Sequence, residues 1–165
     1  MLPESKSKVL KVTQAFDAFG RATWAGLLLG FVAFAIGFGF GIVRVVFVTG
    51  AVGPIAAVVV ELFVLLPILW FVAGWICGVW KVAACSARYV VGLTAVALLL
   101  ALEVVFAIGV MKQTLATYMG GVMSPAGLIG LGGQLMLAWL PALSAKRRRP
   151  SGFGGVINNP NTTHP

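Results

Sequence analysis

Four polar side chains interrupt runs that are otherwise apolar: Arg44, Glu61, Glu103 and Gln134. An ionised group near the centre of a bilayer costs at least about 2.5–3.5 kcal/mol, so such groups face the interior of a helix bundle and pair with one another. Arg44 and Glu61 are the expected ion pair. Glu103 then lies near Gln134 or shares the Arg44 guanidinium. One cation cannot fully neutralise two carboxylates, which leaves Glu103 the less well paired acid. A carboxyl that gains and loses a proton is what a proton-coupled carrier needs. The cluster has a second reading that requires no chemistry: polar side chains inside membrane spans are common interhelical glue, and here they would pin helix register. Both readings stay open from sequence.

Other chemistries lack their parts. His164 is the only histidine and lies in the last residues of the tail, which removes the histidine routes to haem, zinc or copper. Cys77 and Cys85 form neither a CxxC pair nor a metal spacing. No serine–histidine or cysteine–histidine arrangement supplies a nucleophile with its base. No glycine-rich phosphate loop follows a strand. No catalytic residue, metal ligand or cofactor is expected, so the chain reads as non-enzymatic.

The elements that must hold the four residues are membrane spans. Of 165 residues, 60% are hydrophobic and 10% charged, with mean hydropathy +1.03; a soluble domain carries roughly 25% charged residues. The net charge of +8 comes from cations at the ends of apolar runs, which is topology information and no sign of nucleic-acid binding. The first apolar run is too long for a signal h-region of about 7–15 residues, and no small-residue cleavage site follows it.

Residues 1–22 carry Val9, Val12, Phe16 and Phe19 on one helical face, which predicts an amphipathic helix lying on the cytoplasmic membrane surface. Residues 23–143 then predict a bundle of four transmembrane helices over about 24–48, 54–80, 89–110 and 125–141. The second run, Ala51 to Trp80, is the longest. Pro54 suits the first turn of a helix, and Pro67 predicts a kink. Ile68 to Trp80 is too short to cross alone, since a span needs about 20 residues, so the run reads as one helix. Ser124-Pro125 is a start signal for the fourth span. Gly26/Gly30, Gly37/Gly41 and Gly74/Gly78 are small-xxx-small pairs that admit a neighbouring backbone. Residues 144–165 are basic, then rich in Gly, Asn, Pro and Thr, and are expected to be a disordered cytoplasmic tail.

Helix rise places Glu61 and Glu103 each about 10 Å below the outer surface and Gln134 about 14 Å below it. Arg44 sits higher, on a stem that reaches down. Lys6, Lys8, Lys11, Arg21, Lys81, Arg88 and the run Lys146 to Arg149 fall on one side, against Arg44 and Lys112 on the other. The positive-inside rule makes the first side cytoplasmic, with both termini there.

The stretches GFGFGIVRVVFV, GPIAAVVVELFVLLPILW and ARYVVGLTAVALLLALEVV resemble a family of small four-span bacterial inner-membrane proteins with no assigned activity. The features that match are Arg44, Glu61 before an apolar-Pro-apolar run, Arg88 opening the third span, and Glu103. The resemblance covers roughly residues 37–140 and implies an inner-membrane location, but no activity. The leading expectation is a structural or accessory subunit of a membrane assembly, in contact with the lipid bilayer and with other membrane subunits or further copies of itself through the glycine-rich faces, and with no nucleic acid. The alternative is a small proton-coupled transporter using an intramembrane carboxylate.

Overall fold

The computed structural model describes residues 4–144, with side chains described from residue 9 onward except those of 10, 11 and 15. The tail expected to be disordered, from residue 145 onward and with its cluster Lys146 to Arg149, therefore lies outside the described residues, as do the side chains of Lys6, Lys8 and Lys11.

Among the described residues every regular element is helical. Helix α1 (Glu4–Val43) continues through a π-helical segment (Arg44–Val48) into a last turn, α2 (Thr49–Val52). The separate surface helix expected over 1–22 is not an element of its own, because α1 passes through this region unbroken. The cause is local. No proline falls between Glu4 and Val43, and lengthening a helix adds one hydrogen bond per residue fixed, whereas a second helix needs its own unfavourable nucleus. The stripe Val9, Val12, Phe16 and Phe19 is exposed along this first part of α1.

The turn expected over Thr49 to Gly53 narrows to one residue. Gly53 takes φ +81°, in the region that favours glycine, and Pro54 follows at the helix start. Helix α3 (Pro54–Val79) is a single helix of 26 residues with Pro67 inside it, as the length argument requires. It ends in a reverse turn in which the amide of Lys81 donates to the Gly78 carbonyl and that of Val82 to Cys77. This is the bonding of a helix stop that glycine usually makes, here with Lys81 at φ 52°. Helix α4 (Cys85–Val105) runs into a second π-helical segment (Phe106–Val110). Three stretches, Val12–Val52, Pro54–Val79 and Cys85–Val110, are long and apolar enough to cross a membrane.

The remainder is shorter. Helix α5 (Leu115–Val122) starts at Thr114, whose Oγ1 accepts from the Thr117 amide. Helix α6 (Pro125–Met136) starts at Ser124, whose Oγ accepts from the Gly127 amide at 3.1 Å. The expected span over 125–141 is not one continuous α-helix. After Met136 the amides of Leu137, Ala138 and Trp139 each bond three residues back, a tighter winding, before the last turn α7 (Leu140–Leu143). Pro141 has no N–H to continue the α-helical ladder.

Helices α1 and α4 make the most extensive contact in the fold. Ala22, Ala25, Leu29 and Ala33 recur at helical spacing on α1 and are buried with Val91, Ala95 and Leu99 of α4, and with Leu69, Ala73 and Ile76 of α3. Gly26 and Gly30 let the backbones meet: a Cβ on either would lie 2.7 Å from the carbonyl oxygen of Val91 or Ala95. Gly37 and Gly41, the second predicted pair, have nothing within 4 Å of a built Cβ. Gly92 of α4 closes on the backbone of Ala138, and Gly133 of α6 accommodates the side chain of Leu62.

Candidate functional site

Arg44 is the first residue of the π-helical segment after α1, and Glu61 lies two turns into α3. The one-residue break at Gly53 folds α3 back so that the two meet, with Arg44 Nε 2.7 Å from Glu61 Oε2. The side chains are 30% and 14% exposed. The Arg44 N–H is not directed at the oxygen, so Nε has a charge partner without a hydrogen bond. The wide winding serves the Arg44 backbone: its carbonyl accepts both the Thr49 amide and, at 2.9 Å, the Thr49 hydroxyl.

Glu103 lies on α4 just before the second π-helical segment. Its carboxylate accepts a hydrogen bond from Nε2 of Gln134 on α6. Of the two partners the sequence allowed for Glu103, the structure supplies Gln134. Beyond Glu103 sits Tyr118 of α5. Burial, and secondarily the negative charge of Glu103, hold the Tyr118 phenol above its usual range.

Arg44, Glu61, Glu103 and Gln134 all line one half-enclosed cavity of about 610 Å³. Its walls between the polar groups are aliphatic, with Leu65, Leu66 and Leu100 among them, and Thr117 and Tyr118 lie at its α5 side. The two polar pairs thus border open space. Among the described residues no group of three His, Cys, Asp or Glu side chains is placed to hold a metal ion.

Two residues here were not legible as site residues. Tyr118 lies in what reads as a loop, and only the return of α5 against α6 brings it to Glu103. Arg88 reads as a cytoplasmic cation, yet it is buried at 6% exposure. Its Nε donates to the Val82 carbonyl at 3.0 Å. One terminal nitrogen donates to the Pro141 carbonyl at 3.0 Å and to Ser144 Oγ at 2.8 Å. It ties the end of α3, the start of α4 and the end of α7 together, at the end of the bundle away from Glu103. The sequence hint was its position, one cation at the first turn of an apolar helix, but its acceptors are main-chain atoms that no motif marks.

The described residues define a class: all-helical, with three helices long and apolar enough to cross a membrane. Comparison with protein-family profiles, with curated proteins and with solved structures returned no match.

Proposed function

We propose that the chain is a four-span protein of the bacterial inner membrane, with both termini cytoplasmic, that binds a small solute in the cavity beside Glu103 and carries it in exchange for protons. The observation that carries this reading is the cavity itself. Side chains that only pin helix register sit in close-packed interfaces. Here two acids, an arginine and an amide border a space of about 610 Å³. Four spans are supported by the course of the last segment. It begins at Ser124, passes Glu103 at Gln134 and finishes at Arg88 with Pro141 and Ser144. It therefore runs antiparallel to α4, and with its tighter middle it rises about 30 Å, the thickness of the hydrocarbon core.

Proton exchange is assigned to Glu103. The charged and titratable groups around it are Tyr118 from α5 and the Arg44–Glu61 pair across the cavity, and its hydrogen-bond donor from α6, the Gln134 amide, is neutral. Glu61 already has its cation, and among the described residues Glu103 has none. The test is proton movement in proteoliposomes challenged with a panel of cationic, neutral and anionic solutes. The wild type should move protons against at least one of them, and Glu103→Gln against none while keeping its helical content. Equal flux in the two proteins would sink the assignment.

A second reading is an accessory subunit of a larger membrane assembly, without enzymatic activity. It is supported by Gly39, which lies off the cavity and beside which a Cβ would meet nothing. Co-purification in mild detergent tests it, and recovery of the chain alone as a monomer counts against it.

A further inference from the structure

The geometry points to a lipophilic organic cation, a singly charged amine or onium group on an apolar body, as the occupant of the cavity, with its charge seated at Glu103. This deepens the proposed function and rests on the cavity being a binding site.

The sign of the ligand follows from the pairing of the lining. With both acids ionised, one positive and two negative side chains face the cavity. Arg44 has its opposite charge in Glu61 at 2.7 Å, so an anion meets no unpaired cation among the described residues that line the cavity. Glu103 accepts from a neutral amide, Gln134, and the Tyr118 phenol, which lines the same cavity, is held in its neutral form. Among the described residues the carboxylate therefore lacks a counter-ion, and a buried ionised group without one is costly. A ligand cation would supply it.

The body of the ligand follows from the walls. Leu62, Leu65, Leu66, Leu99 and Leu100 surround the polar groups, so most of an occupant's surface would meet aliphatic carbon. A bare metal ion needs about six oxygen ligands and would leave this wall unused. The volume of about 610 Å³ falls among sites that take molecules of drug size, roughly 300–1,000 Å³. The half-enclosed form allows a bulky body to enter.

The test uses the purified full chain in detergent and two probes of matched shape and opposite charge, tetraphenylphosphonium and tetraphenylborate, measured by equilibrium dialysis against a detergent blank. The expected result is saturable binding of the phosphonium and none of the borate. Glu103→Gln should weaken the phosphonium by at least about tenfold, the loss of one charged contact, and Glu103→Asp should retain most of the affinity. The comparison of probes on the wild type stands even if Glu103→Gln fails to fold. Equal binding of both probes, or phosphonium binding unchanged in a folded Glu103→Gln, overturns the assignment of charge. No binding of either probe, with proton flux in proteoliposomes driven by neutral solutes, removes this inference and leaves the carrier. No binding and no flux removes both.

Discussion

Arg44 and Glu61 face each other at 2.7 Å across a helical hairpin whose turn is the single residue Gly53. They stand seventeen positions apart in sequence, and the pair closes where α1 and α3 join. Truncating one partner leaves the other charged in a partly buried place. Removing one member of a fully buried pair costs about 3–5 kcal/mol. With Arg44 30% exposed, we expect Glu61→Gln to cost about 2 kcal/mol in reversible unfolding in detergent. The double variant Arg44→Met/Glu61→Gln should recover part of that loss. Strictly additive losses would mean the contact contributes nothing.

The glycines divide into two groups that substitution should separate. A methyl at Gly92 strikes the backbone of Ala138, and one at Gly133 strikes Leu62. Gly92→Ala should destabilise by about 1–3 kcal/mol, the usual range for overpacking, because a backbone cannot move aside as a side chain can. Gly133→Ala should cost less. Gly39→Ala meets nothing and should be neutral or stabilise, by up to about 1 kcal/mol, from helix propensity alone. Thermal melts of the three variants check the order. A destabilising Gly39→Ala would instead mark that face as packed against another helix.

Arg88 uses two different nitrogens at once, toward Val82, Pro141 and Ser144. A lysine presents a single ammonium and cannot reproduce that fork. Arg88→Lys should therefore lose about 1.5–3 kcal/mol, the scale of a charged hydrogen bond, and free the end of α7. With the exposed Cys85 changed to serine and Leu143→Cys as reporter on α7, thiol labelling should be faster in the Arg88→Lys background than with Arg88 intact. Equal labelling rates would show that Arg88 does not hold this end.

Tyr118 offers a spectroscopic check on the far side of the cavity. Its phenol is held up first by burial and then by the charge of Glu103. Glu103→Gln removes the second cause and leaves the first. Ultraviolet titration should show the Tyr118 phenol ionising at lower pH in the variant, still above an ordinary tyrosine. The only other tyrosine is Tyr89, and Tyr89→Phe isolates the signal. An unmoved titration would place Glu103 too far away to act on it.

Much of the fold was legible because a bilayer leaves few solutions. Apolar length implies helices, since every backbone group must bond within its own segment. That argument made α3 one helix despite Pro67, and Ser124-Pro125 marked the start of α6. It failed at the two ends of the bundle. The leader merges with α1 because nothing in residues 4–43 stops a helix. The last segment changes its winding at Leu137, where Pro141 and the approach of Gly92 to Ala138 decide the path.

The sequence by itself determined that this chain is helical and apolar enough for a membrane, and which four polar residues lie inside its long runs. It could not determine their pairing, because composition and depth allowed Glu103 two partners. Tertiary structure decided that: the one-residue turn at Gly53 brings Glu61 to Arg44, and the packing of α6 against α3 brings Gln134 within reach of Glu103 on α4. It also decided what no periodicity encodes, that Arg88 is buried against main-chain carbonyls and that the polar residues border a cavity. Both depend on how far apart helices stand, which is set by glycines and leucines meeting across interfaces between segments far apart in the chain.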